Sequence, residues 1–413
     1  MNTVGLVVEY NPFHNGHLYH VQQSVKQTKA DAVVAVMSGH FLQRGEPALL
    51  DKWARAEMAL AGGCDLVIEL PVAYATQPAE WFAYGAVSLL EATGVVDTLC
   101  FGSESGALEA LEPAARLLFD EPPQFQDLLR LHLEQGHSYP SAYAAAATTY
   151  MEELGYGADT RPDLSSPNNS LGLHYLMALL RIGSSIRPHT ILREAAGYHQ
   201  SEITDSRIAS ATAIRQRLSE GEPLAAIAPY VPATTLRILE REWSAGRAPV
   251  SWQSFTPQLL HTLATSTAER LAGLHGMTEG LQHRLLQALP GLAEAGFESL
   301  LAALKTKRYT RTKLQRVLLS VLLGHEHGEL QPDRLRTGVQ YIRVLGFSST
   351  GQALLAQMRK QAKLPIILSA ARPPAELPYL GLDTRASAAY ALAQQQPSGK
   401  GMYRDYFLPP IRS

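Results

Sequence analysis

The sequence predicts an α/β protein built on a doubly wound parallel sheet and followed by a helical C-terminal domain. Three observations carry that expectation. Gly5-Leu6-Val7-Val8 belongs to a continuous apolar run, the mark of a strand buried on both faces, and it ends at Asn11-Pro12 before a helix-periodic stretch. Further apolar runs at Ala32–Ser38, Asp65–Pro71 and Thr98–Phe101 alternate with helical segments, the pattern of βαβ units. Beyond about residue 225 the strand signals thin and helical periodicity takes over. The expected domains are residues 1–225, with a helical insertion at about 107–160, and residues 226–413.

Composition narrows the functional classes. With 413 residues, 46% hydrophobic and 18% charged, the chain is long enough for two domains and carries no low-complexity tract. A net charge of −2 argues against binding nucleic acid by bulk charge, although it leaves room for a local basic face. Cys64 and Cys100 lie in apolar, strand-like surroundings and read as buried thiols in a reducing compartment. No run of about 18 apolar residues occurs, so the expectation is a cytoplasmic protein with no membrane partner.

Taken in order, the first strand turns at Pro12 and opens a helix at about residues 15–29, where His14 and His17 lie three residues apart on the face of the first turn. A helix start at the carboxyl edge of a buried strand is an anion site, and Gly16 lets a ligand approach the backbone closely. The structural alternative is a histidine cap with a satisfied polar contact. A metal site is disfavoured because no cysteine-rich or His-Glu-x-x-His set accompanies the pair. After the second strand, Ser38–Pro47 is a polar, Gly-punctuated candidate substrate loop, and Phe41 is a candidate wall for a small apolar group. Asp51 can cap a helix running to Gly62. The fourth strand opens into Gly102-Ser103-Glu104-Ser105-Gly106, where backbone can lie against a nucleoside.

The Asn168–Asn169 pair begins a helix and either caps it or contacts a nucleotide. Thr190–Arg193 is a last parallel strand whose Arg193 reaches the ligand edge, suited to phosphate. Ile208–Arg215 places Ser210 and Thr212 at another helix start, a second phosphate cradle. In the C-terminal half, six Lys or Arg occupy positions 305–316 around Tyr309: Lys305, Lys307, Arg308, Arg311, Lys313 and Arg316. Such a local excess in an acidic chain suits a nucleic-acid backbone, against the plain alternative of a solvated helix face.

His14-Asn15-Gly16-His17 resembles the His-x-Gly-His signature of the nucleotidyltransferase superfamily, whose sheet is of the HUP-like Rossmannoid type, and Ile208–Arg215 resembles its second motif, with Ala211 departing from the pattern. With Ser38–Leu50, Asp65–Pro71, Pro167–His174, Ala196-Gly197-Tyr198-His199 and the Lys305–Arg311 run, most of the chain resembles the tRNA(Met) cytidine acetate ligase family. That resemblance implies ATP-dependent acetylation of N4 of the wobble cytidine in elongator tRNA(Met), with acetate activated as acetyl-adenylate. It implies catalytic roles for His14 and His17. ATP contacts map to Val7, Val8, Glu9, Tyr10, Asn11, Pro12, Phe13, His14, Asn15, Gly16, His17, Leu18, Tyr19 and His20. Gly102, one of Asn168 and Asn169, Arg193 and Thr212 complete the set. Mg²⁺ is expected with ATP, and tRNA is expected on Lys305, Lys307, Arg308, Arg311 and Lys313.

Elementary chemistry agrees. Acetate is a poor acyl donor until its oxide is exchanged for a better leaving group, and in-line attack on the α-phosphate asks for positioning and positive charge. A competing reading is a small-molecule adenylyltransferase acting on a phosphate ester, its C-terminal half serving a homo-oligomer. A third is an RNA-binding factor that has kept the fold without the chemistry.

Overall fold

A computed structural model describes residues 1–193 and 208–413. Five parallel strands form its centre: β1 (Thr3–Val8), β2 (Ala32–Ser38), β3 (Leu66–Leu70), β4 (Thr98–Ser103) and β5 (Arg187–Leu192), in the spatial order β5-β4-β1-β2-β3. The order reverses between β1 and β4, so the crevice beyond their carboxyl ends is the position where open α/β sheets bind ligands. β2 explains why the sheet needs cover on both sides. All seven of its residues are buried, with Val34 and Val36 in one apolar cluster and Val33, Ala35 and Met37 in the other. Helix α1 (Asn15–Thr28) follows β1, and α2 (Lys52–Ala61) is capped by Asp51, which accepts from Ala54 N–H at 2.8 Å. Between β4 and the helix Pro167–Ile182 lie helices at Leu108–Leu118, Pro123–Glu134 and Tyr139–Glu153.

The sheet does not stop at the first 225 residues. β6 (Ile342–Phe347) pairs antiparallel with β3, and the short β7 (Ile366–Ile367) and β8 (Ile411–Arg412) both pair parallel with β6. The expectation for residues 226–413 is a helical domain, and these strands depart from it. Arg343 explains the difference, because a cation in the middle of Tyr341–Phe347 breaks the apolar run that would announce a strand. Arg343 is 1% exposed and stands opposite Glu69 in the ladder.

A buried ionic group makes that placement tolerable. Lys52 Nζ lies 2.8 Å from Glu69 Oε1, 2.8 Å from Glu69 Oε2 and 2.8 Å from Asp405 Oδ1, while Arg343 approaches the same Asp405 oxygen at 3.5 Å. Burial works against the Lys52 ammonium, yet Asp405 and Glu69 together hold its pKa above the usual lysine value. Next to it, Arg404 pairs with the cap Asp51 and lies over Trp53 at 4.3 Å. These pairs fasten the end of the chain to β3 and α2. Lys52→Met keeps the stem, strands the buried Glu69 carboxylate and leaves Asp405 only its longer contact with Arg343, so it should lower unfolding free energy by about 3–5 kcal/mol in a urea titration; a loss below about 1 kcal/mol would mean that the group contributes little.

Candidate active site

The turn that ends β1 is fixed from several sides. Tyr10 adopts a left-handed backbone (φ 48), costly for an aromatic residue, and its ring meets Phe13 edge-on at 4.7 Å and His17 at 4.9 Å. Asn11 Oδ1 accepts from Leu49 N–H at 2.7 Å. Arg55, with no exposed surface, donates NH1 to the Glu9 carbonyl at 2.6 Å, Nε to the Leu50 carbonyl at 3.2 Å, and NH2 to the Gly39 carbonyl. One guanidinium thus holds the loops leaving β1 and β2 against α2.

Within that turn His14 is the N-cap of α1. Its Nδ1 accepts from Gly16 N–H at 3.0 Å, and His17 Nδ1 accepts from His14 N–H at 3.3 Å, closing a capping box made of two imidazoles. Since both Nδ1 atoms accept, each neutral ring carries its proton on Nε2. The ring centroids are 3.7 Å apart, a separation at which two imidazolium charges would repel strongly. Burial, then Arg193 and Arg215, pushes the His14 pKa down to about 3; burial and Arg193 push His20 down to about 4. Burial, then His14 and Arg193, also holds His17 well below the usual value. The imidazoles are therefore neutral donors in the free protein. Burial withholds positive charge from the imidazoles, and the charge beside them comes from Arg193 and Arg215.

The helix start is also less open than its sequence suggests, since the box already occupies the Gly16 and His14 amides. A Cβ on Gly16 would stand 2.9 Å from His14 Cε1, so this glycine leaves room for the imidazole as well as for any ligand. Asn15 Nδ2 donates to the Pro229 carbonyl at 2.9 Å. Leu18, Tyr19 and His20 are half-buried along α1, Val8 and Pro12 are buried, and Val7 is half-buried. His20 Nε2 is buried without a hydrogen-bond partner.

Across the crevice, Gly102 lies in β4, and a Cβ there would meet Arg193 Cγ at 3.0 Å, so the arginine stem rests on the strand. Arg193 NH1 donates to Asn168 Oδ1 at 2.8 Å. The Asn pair does not cap its own helix, Pro167–Ile182. Instead Glu104 does so, accepting from Asn168 N–H at 3.1 Å and from Asn169 N–H at 2.7 Å. Asn169 Oδ1 receives Glu104 N–H and Ser105 N–H, and its Nδ2 donates to the Asp163 carbonyl, so Asn169 holds the loop after β4 while Asn168 links Glu104 to Arg193. On the third side, Ser210 caps the helix Ala211–Ser219 through Ala213 N–H at 3.1 Å. Thr212 is exposed at its first turn. Ala196-Gly197-Tyr198-His199 lies outside the described residues.

The arrangement is a neutral two-imidazole donor group flanked by two arginines at the switch point of the sheet. The HIGH Nucleotidyl Transferase family model matches residues 1–405. The tRNA(Met) cytidine acetate ligase of Anoxybacillus flavithermus is 41% identical over 100% of both chains, and that of Acetivibrio thermocellus is 42% identical over 89% of this chain and 88% of its own. TmcAL of Thermotoga maritima, in its apo crystal form, superposes with a TM-score of 0.93 at 37% identity, covering 100% of this chain and 99% of that one. The same protein bound with alpha-thio ATP gives 0.90 at 36% identity, with the same coverage. The chain belongs to the tRNA(Met) cytidine acetate ligase family.

The family assignment gives the second edge loop its interest, and the structure revises how that loop was read. Phe41 is 1% exposed and packs against Phe255 and Tyr390, so it belongs to the core and does not wall an open pocket. Gln43 N–H donates to Glu9 Oε1 at 2.8 Å; burial raises the Glu9 pKa, with the Gln43 amide and Arg55 opposing. The same loop meets the helix Arg311–Leu323: Arg316 Nε donates to the Gln43 carbonyl at 2.7 Å, and Gln315 Nε2 approaches Glu46 Oε1 at 3.4 Å. Arg316 therefore serves the loop, unlike the other cations of the run. Arg308 pairs with Glu279 at 2.9 Å, Arg311 grips Glu298 with both nitrogens, and Lys313 lies over the Tyr309 ring at 4.8 Å. Lys305 and Lys307 are exposed.

Sequence reasoning missed Lys52, Arg55 and Glu104. The first two did carry a signal: they are charges on a helix where Trp53, Ala54, Ala56, Met58, Ala59 and Leu60 are buried and only Glu57 and Ala61 reach toward solvent. A helix with apolar residues around most of its circumference has little solvent face on which to place them. Buried histidines supply a prediction. His14 and His325 have pKa values near 3, and His20 and His174 near 4, all lowered first by burial. The unfolded chain, with imidazoles near 6.5, binds more protons below that pH, so stability falls as the pH drops from about 6.5 toward those values, by up to about 2 kcal/mol per histidine at pH 5. Melting temperature should decline steeply over that interval in calorimetry; a flat profile would contradict the burial of neutral rings.

Proposed function

We propose that this protein acetylates N4 of the wobble cytidine of elongator tRNA(Met), using ATP and free acetate through an acetyl-adenylate. The observation that supports the reading is the direct packing of the helix beginning at the basic run onto the loop beside Glu9; on this reading RNA and nucleotide lie side by side. In the first step an acetate oxygen attacks the α-phosphorus, the α–β P–O bond breaks, and pyrophosphate leaves. His14 and His17 bind the nucleotide phosphates, the His14 Nε2–H donating as charge builds on the nonbridging oxygens. An anion seated there favours protonation of an imidazole, reversing part of the burial effect. Arg193 supplies fixed positive charge, with Gly102 leaving room for its stem, Asn168 aiming it and Asn169 holding the adjacent loop. Thr212 donates to a phosphate, and the segment from Val7 through His20 lines the nucleotide.

In the second step the exocyclic amine attacks the acetyl carbonyl, a C–N bond forms, the C–O bond to AMP breaks, and the amine loses a proton. A wobble base is single-stranded, which makes its insertion into a pocket inexpensive. Mg²⁺ enters as part of the ATP complex. The described residues contain no group of three His, Cys, Asp or Glu able to hold a metal, and none of their helices is long and apolar enough to cross a membrane. Lys305, Lys307, Arg308, Arg311 and Lys313 hold the tRNA, and a cytoplasmic location accords with that substrate.

Acetate-dependent exchange of labelled pyrophosphate into ATP tests the first step alone. His14→Ala and His17→Ala should each slow it by about 10²–10³-fold with unchanged circular dichroism, the scale of a lost donor in phosphoryl transfer; a wild-type rate would remove the pair from the mechanism. Reversing Lys305, Lys307, Arg308 and Arg311 together should raise the KM for tRNA by at least about tenfold. Equal loss of both steps would instead show that the run is structural.

A further inference from the structure

One cleft lies outside the site described above. About 500 Å³ in volume, it opens between the start of the insertion helix Tyr139–Glu153 and the segment leading into Arg311–Leu323. Gly136, His137, Ser138 and Ser141 line one wall, and Lys305, Thr306, Lys307, Thr310 and Arg311 the other. Among the described residues no carboxylate lines it. Lys305 and Lys307, like Lys313 and Arg316 elsewhere in the run, make no ion pair among the described residues, in contrast to Arg308 and Arg311.

We propose that this cleft seats a backbone phosphate of the bound tRNA, so that the helical insertion, and not the basic run alone, forms part of the RNA surface. The inference rests on the tRNA reading above. Lys305 and Lys307 supply uncompensated charge from one wall. Ser138 and Ser141 supply hydroxyl donors from the other, and Ser138 is an N-cap whose side chain makes no capping bond, which leaves it available. Two helices of 15 and 13 residues begin at the cleft, so their positive ends add to the same field. Neutral hydroxyls facing unpaired lysines across a gap match a phosphodiester better than an acidic side-chain surface, because the nonbridging oxygens can accept from both walls at once.

The test substitutes the insertion wall, which no charge argument about the basic run would implicate. Ser141→Glu creates a Ser-x-x-Glu capping box with Ser138, so the change favours the helix and a loss of RNA affinity is not a folding defect. It should raise the KM for tRNA about tenfold and lower the slope of log affinity against log salt by about one. Ser141→Lys should lower that KM about threefold, a gain that damage to the fold does not produce. Lys307→Glu should match Ser141→Glu. If Lys307→Glu weakens tRNA while both Ser141 variants leave it unmoved, the run binds without the insertion and the proposal fails. If the Ser141 variants alter pyrophosphate exchange in the absence of tRNA, the cleft serves nucleotide or free phosphate, and the proposal fails. A wild-type protein that acetylates no tRNA would overturn the functional reading itself, a result separate from either.

Discussion

A single buried guanidinium organises the reactive edge of this protein. Arg55 donates to the carbonyls of Glu9, Gly39 and Leu50, which belong to the two connections that leave β1 and β2. Burial lowers its pKa, with Tyr390, Glu9 and Asp51 opposing that effect. Carbonyl oxygens, and not a paired carboxylate, take its hydrogen bonds. The consequence is positional: wherever α2 sits, the ends of β1 and β2 must follow. His14 is five residues past Glu9, so the imidazole pair takes its place from that anchor.

The same construction links chemistry to the substrate. Glu9 presents its carbonyl to Arg55 and its carboxylate to the Gln43 amide, and the Gln43 carbonyl accepts from Arg316. Arg316 and Arg311 are five residues apart on one helix, about 7–8 Å along its axis. Basic run, edge loop and imidazole turn therefore form one connected body. The C-terminal strands reinforce it, since β6 lies against β3 and Asp405 meets Lys52 at the start of α2. A chain built this way has little freedom to move the helix Arg311–Leu323 without disturbing the loop beside Glu9.

The parallel half of the fold was legible because its strands are apolar on both faces: Ala32–Ser38 has the bounds expected, and the Asp51 cap was visible as an acid before a helix. β6 was not legible, because a buried Arg343 is acceptable only in company with Asp405, 62 residues later, and Glu69. At the site, His-Asn-Gly-His marks a helix start bearing two imidazoles but not their protonation. That depends on burial and on which backbone amide each Nδ1 accepts, both properties of the folded chain. Asn168 and Asn169 were visible as polar residues at a helix start, whereas the carboxylate that actually caps that helix, Glu104, comes from a loop more than sixty residues earlier.

The central claim is that one connected surface activates acetate and delivers it to a tRNA base. The most direct measurement incubates the protein with ATP, carboxyl-labelled acetate and bulk tRNA, then digests the RNA to nucleosides. The account predicts label in N4-acetylcytidine, dependent on ATP and confined to elongator tRNA(Met). Acetate-dependent pyrophosphate exchange with no label in any tRNA would contradict it, because the nucleotide site would then serve an acceptor other than RNA.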